Sequence, residues 1–149
     1  MPHTYAKIWF HVVFGTKDRQ PIIASEWRER LHSYLGGTLR GLGGIPLEVG
    51  GVADHVHLLM SLKSAHRIDY VMRDLKADST GWLHDEGISA RFAWQRGYGA
   101  FTVSESQVDR VRRYIATQEE HHRKMTFEEE LRAILKAHRI EFEDRYLWS

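Results

Sequence analysis

The segment 55–62 constrains the fold of this chain most, because its apolar side chains recur at every second position. The even-numbered positions of the segment are all apolar, with Val56, Leu58, Met60 and Leu62. The odd-numbered positions begin with His55 and His57. Strict alternation is the pattern of a β-strand, in which residues i and i+2 project from the same face. The segment therefore predicts a strand that presents two imidazoles side by side, opposite an apolar face.

This histidine pair has two interpretations. Neighbouring imidazoles on a rigid strand can share one divalent metal ion, whereas two protonated imidazoles at that spacing would repel each other. The alternative is a pair of exposed or hydrogen-bonded histidines, since a chain with ten histidines produces such spacings by chance. The rest of the chain must decide between the two.

Composition sets the class of protein. The length of 149 residues, of which 42% are hydrophobic, predicts a single domain over residues 1–149 with a substantial core. The absence of cysteine excludes disulfides, thiolate zinc sites and cysteine nucleophiles, and it fits the cytoplasm, where we expect the protein. No segment is typical of a signal peptide or a membrane span. With 21 basic and 20 acidic residues, nonspecific duplex binding is disfavoured, so nucleic-acid contacts would need local basic clusters.

Residue patterns predict the order of the elements. Strands are expected at 5–16, 45–52, 55–62 and 98–104, and helices at 26–42, 68–84, 107–124 and 127–137. This order predicts an α+β domain with a ferredoxin-like, RRM-like βαββαβ antiparallel sheet, helices on one face and extra C-terminal helices. The histidine pair should then point to the free face of the sheet. An aromatic and acidic tail, 140–149, should pack on the domain or on a partner.

The third predicted helix carries a second candidate group. Tyr114 and Gln118 lie one helical turn apart, and Arg110 and Arg113 are close to the tyrosine. Tyr114 has two interpretations: it is a core-edge tyrosine, or it is a nucleophile whose reactivity nearby cations or a metal would raise. The neutral side-chain oxygen of Gln118 could complete a metal site with the two histidines.

Several motifs together resemble one family, the single-tyrosine HUH (TnpA-like) transposases of bacterial insertion sequences, which move single-stranded DNA. The motifs are HVVFGTKDR at 11–19, DHVHLL at 54–59, LKADS at 75–79, WQRGYGAFTVS at 94–104, YIATQEEHH at 114–122 and FEEE at 127–130. The resemblance covers nearly the whole chain, and the motifs occur in the family's order.

The resemblance implies roles for four residues. It assigns the metal to His55, His57 and Gln118, and the nucleophile to Tyr114. It also implies Mg²⁺ or Mn²⁺ as cofactor and strand cleavage through a 5′-phosphotyrosine. The expected partners are single-stranded DNA with hairpin-forming element ends and a second subunit, in a homodimer whose active sites are shared.

Basic and aromatic side chains are candidates for holding the DNA. The candidates for phosphate contacts are Lys17, Arg19, Lys76, Arg96, Arg110 and Arg113. Trp94 and Tyr98 are candidates for stacking on bases. The alternative for each of them is a surface charge or a core aromatic.

Three rival functions remain open from the sequence. The first is a domesticated, noncatalytic protein of the same fold that binds hairpins or single strands. The second is a metal-dependent phosphoesterase that uses water, with Tyr114 in a structural role. The third is a structural α+β domain without chemistry.

Overall fold

The computed structural model describes residues 3–148 and contains four strands and five α-helices in that range. The strands are β1 (Ile8–Gly15), β2 (Ile45–Gly51), β3 (His55–Leu62) and β4 (Gly99–Val103). The helices are α1 (Ser25–Gly41), α2 (Ile68–Asp85), α3 (Val108–Ala116), α4 (Gln118–His121) and α5 (Phe127–Ala137). Short 3-10 turns occupy Lys17–Arg19, Glu105–Gln107 and Asp144–Tyr146.

The strands form one antiparallel sheet in the order β2-β3-β1-β4. Together with the order of the helices, this is the predicted ferredoxin-like α+β arrangement, and the prediction is confirmed. The central strands β1 and β3 pair along their whole length, from Ile8 opposite Leu62 to Gly15 opposite His55. This register places Val13 beside His57 and His11 beside Leu59, on the same face of the sheet.

One face of the sheet, which we call the apolar face, packs beneath α1 and α2. Its strand residues are Val12, Phe14, Val56, Leu58 and Met60, all of them fully buried. Leucines of α1 and aliphatic residues of α2 close the same cluster, as does Trp94 from the segment before β4. The alternation of β3 thus has the predicted consequence on this side, where apolar side chains remove a large area from water.

The opposite face, which we call the histidine face, carries His11, His55 and His57. We expected this face to be free, and that expectation is wrong. Helices α3, α4 and α5 cover it, and neither His55 nor His57 has any exposed surface. Two small apolar clusters flank the histidines, one around Leu59 and Ile115 and the other around Val13 and Phe127. Helices α3 and α5 cover the face because both contribute apolar side chains to these clusters, and α4 adds the buried Gln118.

The helix predicted over 107–124 is broken at Thr117, which has φ −110° and ψ 28°. The Thr117 hydroxyl donates to the carbonyl oxygen of Arg113 at 3.0 Å, a local bond that competes with the helical pattern. Helix α3 therefore ends at Ala116, and α4 begins with Gln118. The break turns Gln118 inward, where it is 1% exposed.

Local features fix α3 and α5, two of the helices that cover the histidines. A Cβ on Gly50 of β2 would lie 2.2 Å from the carbonyl oxygen of Ile115, so only glycine lets α3 approach the strand this closely. Helix α5 begins with a capping box, in which Thr126 and Glu129 bond each other's backbone N–H groups. Phe142, Leu147 and Trp148 pack against α5, as expected of the tail, whose Ser149 lies outside the described residues. Within residues 3–148 no helix has the length and apolarity needed to cross a membrane.

Candidate functional site

The two histidines of β3 form the centre of the candidate site. Their ring centroids are 5.1 Å apart, so the strand brings them side by side as its alternation predicts. The His55 ring stacks on Phe127 of α5 at 3.9 Å, with 3° between the ring planes. On its other side, Nδ1 of His55 lies 2.7 Å from Oδ1 of Asp54. The ring therefore has a fixed orientation, with Nε2 turned into the site.

The structure brings Tyr114 and Gln118 to this pair. Oε1 of Gln118 is 3.1 Å from Nε2 of His55. The Tyr114 ring lies 5.7 Å from the His57 ring, edge to face. All four residues that the family resemblance assigned thus converge on one place within a single chain. Their roles, and the sharing of sites between two subunits, stay predictions.

The sequence analysis missed Glu130, which lies at the middle of the cluster and is 1% exposed. Its Oε1 is 2.9 Å from Nε2 of His57 and 3.2 Å from Nε2 of His55. Its Oε2 accepts hydrogen bonds from Tyr114 Oη and, at 3.1 Å, from the Gln118 amide. A signal for this residue exists, since Glu130 lies on the apolar stripe of α5 formed by Phe127, Leu131 and Leu135.

Two further histidines complete the group. Nε2 of His122, just after α4, is 3.1 Å from Oε1 of Glu130 and 3.0 Å from Oε1 of Gln118. Nε2 of His11 in β1 is 2.7 Å from Nδ1 of His57. His11 could have been found from the parity of β1, because it alternates with the apolar residues Phe10 and Val12. His122 follows a helix break that no pattern in the sequence announces.

Burial and charge shift the pKa values of these groups. Burial raises the pKa of Tyr114 well above its ordinary value, and the adjacent Glu130 carboxylate contributes to the rise. The nearest charge to the hydroxyl is thus negative, in contrast to the activating arginines considered from the sequence. For Glu130 itself, hydrogen bonds from His122, His55 and His57 outweigh burial and lower its pKa far below the ordinary value.

The two central imidazoles differ in their electrostatics. Burial favours the neutral form of both rings. For His55 the bonds and charges of Asp54 and Glu130 outweigh burial and raise its pKa. For His57 burial outweighs the contribution of Glu130, and its pKa is lowered.

The donor groups suit a divalent metal ion. One ligand atom from each of His55, His57, His122 and Glu130 lies within 4.8 Å of the others. Imidazole nitrogens and carboxylate oxygens are ordinary ligands of such ions. His55 also has the outer hydrogen bond to a carboxylate that commonly orients a ligating histidine. A cleft of about 590 Å³ lined by Asp54, His122 and Phe127 reaches this cluster from the surface.

The predicted phosphate-binding residues divide into two groups. Lys17, Arg96, Arg110 and Arg113 lie on the surface. Arg19 instead pairs with Glu128 at 2.8 Å and lies over the Trp148 ring. Nζ of Lys76 donates to three carbonyl oxygens of residues 95–97, and burial lowers its pKa to about 8. These two side chains are therefore engaged within the chain.

The two aromatic candidates also differ. Trp94 is 8% exposed, packs against Phe14 and Phe92, and donates from Nε1 to the Ser79 hydroxyl at 2.9 Å. It is a core residue, so the stacking role considered for it is not available in this arrangement. Tyr98 is half-buried and lines a cleft with Arg96 and Lys76.

Comparison with known sequences adds the family context. The sequence model of the family described as "Transposase IS200 like" matches residues 4–118. The transposase for insertion sequence element IS200 of Salmonella typhimurium (strain LT2) is 27% identical over 124 residues, which are 79% of this chain and 81% of the relative. The protein of the same description from Salmonella typhi matches with the same figures, 27% identity over 124 residues.

Two solved structures are similar in fold. A candidate transposase from Deinococcus radiodurans R1 has a TM-score of 0.64 at 22% identity, covering 79% of this chain and 95% of that one. A REP-associated tyrosine transposase bound to a REP hairpin has a TM-score of 0.56 at 14% identity, covering 77% of this chain and 68% of that one. At these identities the structures show the shared fold.

Proposed function

Because the chain belongs to the IS200-like transposase family, we propose that it cleaves and rejoins single-stranded DNA through a 5′-phosphotyrosine on Tyr114. In this proposal His55, His57 and Gln118 hold a divalent ion, Mg²⁺ or Mn²⁺. The observation that carries the proposal is the convergence of a tyrosine hydroxyl, an amide and two imidazoles on one buried carboxylate. A purely structural domain would have little reason to bury so many polar groups together.

The chemical step follows from the position of Tyr114. Its Oη attacks the phosphorus of the scissile phosphodiester, the bond from phosphorus to the 3′ oxygen breaks, and a free 3′ hydroxyl results. The Tyr114 proton leaves along its hydrogen bond to Oε2 of Glu130, and the departing 3′ oxygen takes up a proton from water, so the step is balanced. The phosphotyrosine conserves the energy of the phosphodiester, so rejoining by a 3′ hydroxyl needs no ATP.

The chain's other residues position the reacting groups. Phe127 and Asp54 fix the ring of His55, and His11 contacts Nδ1 of His57. A divalent ion bound there would bind a nonbridging phosphate oxygen and stabilise the developing charge. The donors fit such an ion, since Nε2 of His55 and Oε1 of Gln118 face each other at 3.1 Å.

The proposed substrate is single-stranded DNA at hairpin-forming element ends. One structural relative is described as bound to a REP hairpin, which supports a folded DNA end as ligand. Lys17, Arg96, Arg110 and Arg113 are exposed and remain the candidates for phosphate contacts. We also propose a homodimer that shares its active sites, as the family resemblance implies.

A covalent-adduct assay tests the proposal. The protein is incubated with Mg²⁺ or Mn²⁺ and single-stranded oligonucleotides from the flanks of its own gene, labelled at either end, and analysed on a denaturing gel. We expect a metal-dependent shifted band that carries the 3′ label, together with a shorter free product that carries the 5′ label. Tyr114→Phe should abolish both, whereas Tyr70→Phe, at an exposed tyrosine away from the site, should not.

The other outcomes identify the rival functions. Normal cleavage by Tyr114→Phe would overturn the phosphotyrosine mechanism and favour a water-using phosphoesterase. Tight binding of the hairpin by wild-type protein, with neither product in the presence of metal, would favour a noncatalytic DNA-binding protein.

A further inference from the structure

Two residues at the centre of the site have no place in the ligand set of the proposed function. Glu130 is 1% exposed, and its Oε1 faces Nε2 of three histidines, His55, His57 and His122, at 3.2, 2.9 and 3.1 Å. A carboxylate is costly to bury without compensation. The contacts therefore require an explanation that holds for the carboxylate and for all three rings.

The hydrogen bonds of the outer nitrogens show which ring atoms can bind a cation. Nδ1 of His122 lies 2.9 Å from the carbonyl oxygen of Met125, which can only accept, so this nitrogen carries a hydrogen. Nδ1 of His55 faces the Asp54 carboxylate at 2.7 Å in the same way. In the neutral form of each ring, Nε2 then carries no hydrogen and has a free lone pair.

These two lone pairs face oxygen acceptors. Nε2 of His55 and Nε2 of His122 each lie within 3.2 Å of Oε1 of Glu130 and of Oε1 of Gln118. Neutral nitrogens and carbonyl or carboxylate oxygens repel at this distance unless a positive charge, either a second ring proton or a metal ion, lies between them. A metal ion satisfies all four atoms at once, and the outer hydrogen bonds are those that orient ligating histidines.

The distances agree with a shared ion. Two ligand atoms about 2.1 Å from one ion, at right angles to each other, are separated by about 3.0 Å. The separations between Oε1 of Glu130 and the three Nε2 atoms are 2.9 to 3.2 Å. Each of the three Nε2 atoms is thus spaced from Oε1 of Glu130 as a neighbouring ligand of a single ion would be.

We propose that Glu130 and His122 are direct metal ligands, so that the centre binds its ion through three imidazoles and a carboxylate in addition to Gln118. This inference deepens the proposed function, on which its role in catalysis rests. Mg²⁺ prefers oxygen ligands and keeps several waters, whereas imidazole suits transition metals. The donor set therefore selects Mn²⁺ over Mg²⁺. It also makes α5 part of the centre.

Metal binding by the full chain, measured without DNA, tests the ligand assignment. Isothermal titration with MnCl₂ should give one site in wild-type protein. Glu130→Gln keeps the size of the side chain and removes its charge. It should weaken Mn²⁺ binding by roughly 100-fold, because losing a direct ligand should lower the affinity at least as much as losing a residue that only orients a ligand. Glu129→Gln is the matched control on the next residue, because glutamine preserves the capping box and the side chain is exposed.

A second measurement counts the nitrogen ligands directly. Pulsed EPR of Mn²⁺ bound to wild-type protein should show nitrogen couplings from three imidazoles, and His122→Ala should remove one of them. Two couplings in wild-type protein, unchanged in His122→Ala, would overturn the role of His122. Wild-type affinity in folded Glu130→Gln would overturn the role of Glu130, as would the absence of Mn²⁺ binding by wild-type protein.

These outcomes separate the inference from the proposed function. If Mn²⁺ binds in a Glu130-dependent manner but no DNA adduct forms, the ligand assignment stands and the phosphotyrosine proposal fails. If the adduct forms with metal but Glu130→Gln binds Mn²⁺ normally, the proposed function stands and the ligand assignment fails.

Discussion

The two faces of the sheet differ in what they bury, although the same strands build both. On the apolar face, aliphatic and aromatic side chains pack beneath α1 and α2. On the histidine face, small apolar clusters surround a group of imidazoles, an amide and a carboxylate that bond one another. Side chains that alternate along β3 thus form an apolar core on one side and the proposed active site on the other.

The largest effects are expected at two neighbouring leucines, Leu58 and Leu59. Both are fully buried, but Leu58 lies on the apolar face and Leu59 packs with Ile115 of α3 on the histidine face. Leu58→Ala and Leu59→Ala should each lower the free energy of unfolding by about 2–5 kcal/mol, as buried truncations do. Urea denaturation measures this loss.

The two variants should differ in activity at a temperature where both are folded. Only Leu59→Ala weakens the packing of α3 on the sheet. Because α3 carries Tyr114, only this variant should slow adduct formation. An equal loss of adduct in Leu58→Ala, with circular dichroism showing that it is folded, would contradict the division between the faces.

The apolar face was predictable from sequence because periodicity decides it. The antiparallel sheet could be predicted from two features: the alternation that includes Val56, Leu58 and Met60, and the order of the elements. The histidine pair was found by the same parity. The cover over it was not, because it depends on the break at Thr117 and on a helix that returns across the sheet.

Glu130 shows why the rest of the site escaped prediction. Three consecutive glutamates at the start of a helix are expected to face water and favour the helix N-terminus. Only one of them points inward, and its partners come from β3, from α3 and from the residues around α4. Convergence of residues so far apart in sequence is a property of the tertiary structure.

A histidine away from the site sharpens the comparison. His32 of α1 is largely buried beside Arg28, and within residues 3–148 its Nε2 has no hydrogen-bond partner. Burial, together with the Arg28 charge, lowers its pKa from 6.5 to about 4. The unfolded chain takes up a proton at His32 below pH 6.5 and the folded chain does not, so stability falls as the pH drops from 6.5 towards 4.

Across the full range between the two pKa values of His32, the free energy of unfolding falls by roughly 3 kcal/mol. His32→Gln removes the titrating group, so the variant should lose less stability than wild-type protein between pH 7 and pH 4.5. Urea denaturation of both proteins at both pH values measures how much stability each of them loses. Equal losses in the two proteins would mean that the ring is protonated in the folded state.

Gly50 tests how closely α3 must approach the sheet. A Cβ at this position would lie 2.2 Å from the Ile115 carbonyl oxygen, a backbone atom that cannot move without its helix. Gly50→Ala should therefore cost about 1–3 kcal/mol and slow adduct formation, because α3 carries Tyr114. Gly37→Ala in α1 is the control, since a Cβ there meets nothing within 4 Å.

The control should change stability in the opposite direction. An alanine within a helix is favoured over glycine by roughly 0.5–1 kcal/mol, so Gly37→Ala should stabilise the protein and leave the adduct rate unchanged. Wild-type adduct rates in Gly50→Ala would show that the spacing between α3 and β2 does not govern the position of the tyrosine.

The smallest effect concerns how the covering helices are held. In the described part of the chain, α1 and α2 begin without a side-chain cap, whereas α5 begins with the Thr126 capping box one turn before Glu130. Thr126→Ala should cost about 1 kcal/mol, and Thr126→Ser should restore most of it. Amide hydrogen exchange at Glu129 and Glu130 should accelerate in the alanine variant alone, because the Glu129 N–H group loses the Thr126 hydroxyl as its acceptor. Unchanged exchange would mean that packing of Phe127 and Leu131 holds α5 without help from its cap, as packing holds α1 and α2 on the apolar face.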